Sequence, residues 1–275
     1  MIGTMPDVNP FATFTEKSAR QYILKPLYNN VFGCPICGSK KTSEMGKGGY
    51  FCRSCRKQSS LTTNTNLKGL RIPLVRVLSA LWVVARRRGL VNAVQLQKHL
   101  GGVSNRTSLR FLRTMYLAMQ RNLEPLQVSV GAELLRLKSR SARSGKATSI
   151  DLLFVYEYPT AGAVRISVVS NVTDLPAIVA SHVSVGSKIY TKDVSLVDRL
   201  QFKGYEICID NRLNLASKFR DNLERYLKGC HGGAVSLKHL QLYLSSFCYL
   251  HRLERTKSTK RRFDSLLRTV FARVR

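Results

Sequence analysis

The stretch Leu126-Gln127-Val128-Ser129-Val130-Gly131-Ala132-Glu133-Leu134-Leu135 marks a change of period in the 275-residue sequence. Upstream of it, apolar residues recur every three to four positions, as on one face of a helix; from here they alternate, as on a strand. A domain boundary is therefore expected near Glu124. Toward the C-terminus, residues 126–135 read as a first strand and 136–146 as a basic, flexible link. Residues 149–158 and 163–170 form a hairpin around Pro159-Thr160-Ala161-Gly162. A helix over 175–183, a strand over 188–190, a helix over 196–201 and a strand over 205–209 follow, with helices beyond. The order predicts an α/β domain over 126–275: three antiparallel strands, then helix, strand, helix and strand.

Toward the N-terminus the pattern is helical. From Ile72, the residues Leu74, Val77, Leu78, Leu81, Trp82 and Val84 make an apolar face that ends at Arg86-Arg87-Arg88-Gly89. A second segment spans 92–100, with Val94, Leu96 and Leu100 apolar, and Gly101-Gly102 breaks it. Val103 reads as a buried turn residue. Ser104 can cap a third helix on which Leu109, Leu112, Tyr116 and Met119 repeat at helical spacing. Residues 72–124 thus read as a helix-turn-helix DNA-binding domain. Its third helix offers Asn105, Arg106, Thr107, Arg110 and Arg113 near its start, where a recognition helix meets base edges in the major groove.

Further upstream, Cys34-Pro35-Ile36-Cys37-Gly38 is followed fourteen residues later by Cys52-Arg53-Ser54-Cys55. Each Cys-x-x-Cys puts two thiolates on one tight knuckle, and two knuckles complete a tetrahedral zinc site. Four protein ligands, Cys34, Cys37, Cys52 and Cys55, leave no open position, so the zinc expected is structural. Residues 34–60 form this ribbon, with Lys40, Lys41, Lys47, Arg53, Arg56 and Lys57 beside the ligands. Residues 1–33 hold a short helix over 13–28, which Thr13 and Glu16 would cap as a box. Cys208, Cys230 and Cys248 are scattered singly, unlike a secreted disulfide framework.

Lys and Arg number 45 against 16 Asp and Glu, a formal charge of +29 that favours a polyanion as partner. Residues 1–125 hold 20 basic and 4 acidic side chains and 126–275 hold 25 and 12, so both halves are expected to touch a duplex. The tail from Arg252 adds nine basic residues against two acids. The longest apolar run, Ala80 to Ala85, is far short of the roughly 20 residues of a bilayer crossing. Residues 1–10 show no signal peptide, so a cytoplasmic, nucleoid-associated protein is expected, with double-stranded DNA as partner, no membrane, and a homo-oligomer among the allowed states.

The strand and helix order is that of an RNase H-like domain, and the motifs carry a resemblance. The ribbon with Cys34-Pro35-x-Cys37-Gly38, the segment 96–119, Gly186-Ser187-x-Ile189-x-Thr191 and Val235-Ser236-x-x-His239-Leu240-x-x-Tyr243-Leu244 together resemble the Merlin-related DDE transposases of bacterial insertion sequences, over residues 13–270. The resemblance implies three carboxylates holding two Mg²⁺ for strand transfer. In this sequence the matching positions are Gly131, after Val128-Ser129-Val130, then Lys192, after Thr191, and Ser217, three beyond Asn214. None is an acid, and the family's late motif, usually acidic, reads Ser245-Ser246 here.

Lysine at the second position opposes metal. Unit charges about 4 Å apart repel by roughly 4 kcal/mol at an effective dielectric near 20, and a divalent ion doubles that. Mg²⁺ is therefore not expected, and Lys192 would suit a DNA phosphate, with Arg136 and Arg140 on the link as further phosphate contacts. Shifted acids offer the alternative of a displaced triad: Glu133 on the face of Gly131, Asp193 beside Lys192, and Asp221 or Glu224 after Ser217. The expected function is a catalytically inactive, transposase-derived DNA-binding protein acting as a transcriptional regulator. The alternatives are an active transposase with displaced acids and an accessory protein that binds DNA ends in recombination.

Overall fold

A computed structural model describes residues 9–140, 147–200, 204–231 and 236–274. The chain is mixed α/β and divides into two compact units, one of Met1–Met119 with Lys257–Arg275 and one of Gln120–Thr256. By their place in the sequence, residues 257–275 are expected in the α/β domain; their contacts assign them to the first unit.

The first unit begins with α1 (Glu16–Tyr28). Its cap is Thr15, whose side chain accepts the Ser18 amide while Ser18 Oγ takes the Thr15 amide, so the box lies two residues beyond the expected Thr13 and Glu16. Ala19 and Ile23 are its buried residues. An antiparallel sheet follows, β1 (Thr42–Glu44), β2 (Tyr50–Cys52) and β3 (Gln58–Ser59) in that order. Three helices come next: α2 (Leu74–Arg86), α3 (Ala93–His99) and α4 (Asn105–Arg121).

The spacing of apolar residues explains why α2 is central. Val77, Leu78, Leu81 and Val84 are buried, and α1, α3 and the late helix α9 (Thr259–Phe271) all pack on α2. Phe11 stacks on Phe263 with ring centroids 5.1 Å apart, and Tyr22 and Trp82 meet the same cluster edge-on. Arg262 is buried among them because its Nε donates to the Ala85 carbonyl at 2.9 Å, one of the orphan acceptors at the end of α2. Past α9, Val274 N donates to Asn64 O at 2.8 Å and Arg273 Nη2 to Gly33 O at 3.2 Å.

The second unit is built on a five-stranded sheet. In chain order the strands are β4 (Ser129–Arg140), β5 (Ala147–Glu157), β6 (Val164–Val169), β7 (Lys188–Thr191) and β8 (Glu206–Ile209). In space they run β6-β5-β4-β7-β8, antiparallel among the first three and parallel between β4, β7 and β8. The flexible link is shorter than the expected 136–146, because Arg136–Arg140 pair in register with Asp151–Ala147. Residues 141–146 lie outside the described residues. The strand also starts later than Leu126: Val128 takes φ +70 and breaks the extended run, leaving Leu126 in an isolated bridge to Val183.

Strand alternation sorts the sheet's two faces. Val130, Ala132, Leu153, Val155 and Ile189 form a core with residues of α5 (Leu175–His182) and α6 (Val194–Leu200). Gly131, Glu133, Phe154 and Tyr156 alternate with them and face α7 (Leu215–His231), where Tyr156 and Phe219 lie 5.6 Å apart. The last helix of this unit, α8 (Leu237–Glu254), covers the β6 edge. Its Gln241 side chain takes the Val168 amide and donates to the Ile166 carbonyl, each at 3.0 Å, closing part of an edge that would otherwise invite strand pairing. Among the described residues, no helix is long and apolar enough to cross a membrane.

Candidate metal centre and nucleic-acid interface

The two cysteine knuckles have matching backbones. Gly38 N donates to Cys34 O at 2.9 Å, with Gly38 at φ +78; after the second pair, Arg56 takes the equivalent left-handed position at φ +55. These turns bring four sulfur atoms within 4.8 Å of one another. Cys34 and Cys55 are 3.7 Å apart and Cys37 and Cys52 3.6 Å apart. A tetrahedron with zinc–sulfur bonds of about 2.3 Å has edges of about 3.8 Å, so the cluster is compatible with zinc.

The local field fits a cation too. Cys52 is pushed down to about 6, first by the Cys55 amide and then, against burial, by that of Ser54. Burial opposes the Cys34 thiolate most, yet the Cys37 and Ile36 amides outweigh it and lower that thiol as well. Cys55 goes the other way, to about 11: the Lys57 amide favours its thiolate, but burial and the three neighbouring sulfurs prevail. A dication at the centre reverses that mutual opposition. Lys40, Lys41, Arg53, Arg56 and Lys57 are exposed around the cluster; the side chain of Lys47 lies outside the described residues.

On α4, Ser104 Oγ accepts the Thr107 amide as a cap should. The helix buries Ser108, Phe111, Leu112, Met115, Tyr116 and Met119. Its outward side carries Arg106, Arg110 and Arg113, with Asn105 exposed at the first position. Thr107 is half-buried, its Oγ1 3.0 Å from Ser104 Oγ, so it is turned away from that side. Leu109, expected on the packed face, is 37% exposed among the arginines. Among the described residues, none of the three arginines has a carboxylate partner.

Charge is less evenly shared than the two halves of the sequence suggest. The first unit holds 26 basic and 4 acidic residues, a formal +22, and the second 19 and 12, a formal +7. The difference arises because 257–275 bring seven basic residues and one acid back to the first unit.

In the second unit, the positions matched to the family's carboxylates fall around one buried acid. Glu133, 1% exposed, accepts from Tyr156 Oη at 2.6 Å, from the Ala216 amide at 3.0 Å and from Lys192 Nζ at 2.9 Å. The ammonium also donates to the Leu213 carbonyl at 2.9 Å. Burial, and then Glu133, push the Tyr156 phenol well above its ordinary range, so it remains a donor. Gly131 has no room for a side chain, since a Cβ there would lie 2.4 Å from the Tyr156 ring. Ser217 is turned back on Asn214, donating to its carbonyl at 2.9 Å.

Two of the remaining acids have other partners. Asp193 accepts the Ser195 amide at 3.0 Å at the start of α6, and Asp221 lies 3.5 Å from Arg220. Glu224 lies one turn beyond Asp221 on α7. Among the described residues, the four cysteines are the one group of three or more His, Cys, Asp or Glu side chains close enough to hold a metal ion.

The expected phosphate contacts fare differently. Lys192 is spent on Glu133, although its side chain remains 41% exposed. Arg136 is paired with Asp151 across β4 and β5 through bonds of 2.7 and 3.2 Å, and the guanidinium holds the Asp151 carboxyl below its usual range. The side chain of Arg140 lies outside the described residues. Sequence reasoning missed the Glu133–Lys192 pair. Its signal was a lone carboxylate at an inward position of an apolar strand, which needs a buried donor. In comparisons with known proteins, no family model matches the chain and no curated protein matches it.

Proposed function

We propose that the chain is a DNA-binding protein of transposase descent whose reaction has been lost, with a structural zinc ribbon and a helix-turn-helix ahead of an RNase H-like core. The observation that carries DNA binding is the outward face of α4: three arginines without carboxylate partners among the described residues, in a unit of formal charge +22. Such a face concentrates a polyanion, and arginine reads guanine in the major groove through two hydrogen bonds. The turn between α3 and α4, with Gly101 and Gly102 both at positive φ, supports the helix-turn-helix reading. The spatial order β6-β5-β4-β7-β8 with its change from antiparallel to parallel supports the RNase H-like one.

Zinc would be held by Cys34, Cys37, Cys52 and Cys55, and would supply folding free energy to a ribbon whose strands are two and three residues long. Loss of the reaction is supported by what surrounds Glu133. An ammonium stands where a metal would need a carboxylate, the Tyr156 ring covers Gly131, and Asp193 and Asp221 are engaged elsewhere. With binding retained and chemistry lost, the role we assign is regulation of transcription, for which genome-wide capture is expected to give discrete promoter peaks.

The test is a pair of assays on the zinc-loaded full chain. Duplex binding should persist without divalent ion and weaken with salt, log K falling by about 0.9 per phosphate neutralised for each log unit. End cleavage and strand transfer, tried on the selected sequence with Mg²⁺ or Mn²⁺, should be absent. Metal-dependent nicking that disappears in Glu133→Ala and Asp193→Ala would restore the active transposase and overturn the reading.

A further inference from the structure

On the reading of α4 as the DNA-reading helix, we infer that Leu109 recognises the 5-methyl group of a thymine, next to guanines read by Arg106 and Arg110. Leu109 is one residue from Arg110, three from Arg106 and four from Arg113, so it belongs to their side of the helix. It is 37% exposed, whereas the apolar residues of the other side, Phe111, Leu112, Met115 and Met119, are at most 3% exposed. Leu109 therefore lies at the margin of the packed face with over a third of its surface open, as does Leu117, 43% exposed, two turns further on.

Its neighbours identify what covers it. Arg106, Arg110, Arg113 and Asn105 are all exposed, and the arginines have no carboxylate partner among the described residues. A partner fitting this face must present dense negative charge and, between polar groups, something apolar. The major groove does so: phosphates flank it, guanine offers O6 and N7, and the thymine methyl is the apolar group among its base edges. Spacing agrees. With a rise of 1.5 Å per residue, Leu109 lies about 4.5 Å along the helix from Arg106, close to one base-pair step of about 3.4 Å. A thymine within one or two steps of a guanine is thus the expected core of the bound sequence.

The experiment begins with selection from a random duplex library by the zinc-loaded full chain. Each thymine of the selected site is then replaced by deoxyuridine, which removes the methyl and leaves the hydrogen-bonding edge intact. At fixed salt, one such replacement should weaken wild-type binding by roughly fourfold, as removal of one buried methyl implies. Leu109→Ala should bind the parent site about as weakly and be indifferent to that replacement, while Leu109→Met should stay sensitive. Helicity measured by circular dichroism confirms that the variants fold, as substitution at an exposed position allows.

Uniform indifference of the wild type to deoxyuridine, or continued sensitivity in Leu109→Ala, would overturn the inference and leave DNA binding standing. Failure to select any duplex would overturn both. Unchanged DNA affinity of Leu109→Ala together with altered sedimentation would assign the leucine to a protein contact instead, which also overturns it.

Discussion

Replacing Lys192 with methionine removes the cation that, among the described residues, balances Glu133. The carboxylate is 1% exposed and the ammonium is 2.9 Å away, so at an effective dielectric near 20 the pair attracts by about 6 kcal/mol. Two effects reduce what is lost: Lys192 is half in water, and the Tyr156 hydroxyl and Ala216 amide still donate to Glu133. The expected cost of Lys192→Met is about 3 kcal/mol, the lower end for an uncompensated buried charge. Glu133→Gln should cost less, about 1–2 kcal/mol, because the stranded ammonium can turn to solvent and keeps the Leu213 carbonyl. The double variant should lie within about 1 kcal/mol of Glu133→Gln, since no charge is then left unpaired. Native-state hydrogen exchange at the β4 amides is the suitable assay, because it reports this unit even when the chain unfolds in more than one step. A Lys192→Met protein with unchanged protection, or a double variant as unstable as the two single costs added, would refute the electrostatic account of this site.

Purified protein is expected to contain one zinc per chain, and metal analysis finding none, or ribbon structure surviving Cys52→Ser, would contradict it. Val128→Gly should stabilise the second unit by about 0.5–1 kcal/mol, because a β-branched residue at φ +70 is strained by roughly 1–2 kcal/mol and its 78%-exposed side chain packs little; a fall in thermal midpoint would refute this. Burial, reinforced by Arg165, lowers His182 to about 4, so the unfolded chain binds the proton more readily than the folded one. Stability should be fully present above about pH 6.5 and fall by about 3 kcal/mol as pH drops toward 4, and His182→Gln should flatten that part of the urea-denaturation profile.

What was legible in the sequence was what local chemistry dictates. The Cys34/Cys37 and Cys52/Cys55 spacing forces two knuckles wherever the rest of the chain goes, and the four sulfurs do meet. Helical spacing in 74–86 and 105–121 and strand alternation in 150–156 were readable for the same reason. The choice between Thr13 and Thr15 as cap was not, since both precede a suitable partner by three residues. The partial exposure of Leu109 was not legible, because a single apolar residue at the margin of an amphipathic face can lie on either side of it. The extension of β4 through Arg140 depends on partners supplied by β5, and the pairing of Glu133 with Lys192 joins residues 59 positions apart through a parallel strand contact. Likewise, Arg262 at the Ala85 carbonyl is a bond between distant segments that no window of sequence contains.

That last bond has a consequence for timing. The helices proposed to grip DNA are synthesised by residue 121, but α2 lacks one of its three packing partners until α9 emerges, and Asn64 lacks Val274 until later still. At about 5–20 residues per second, the 137 residues between Met119 and Lys257 impose a delay of roughly 7–27 s. A nascent chain, or one terminated anywhere in the intervening unit, displays the reading helix on an unfinished scaffold with Phe11, Tyr22 and Trp82 missing Phe263. Affinity for DNA should therefore switch on late in translation, and aborted products should be cleared by proteases before they can compete for the site.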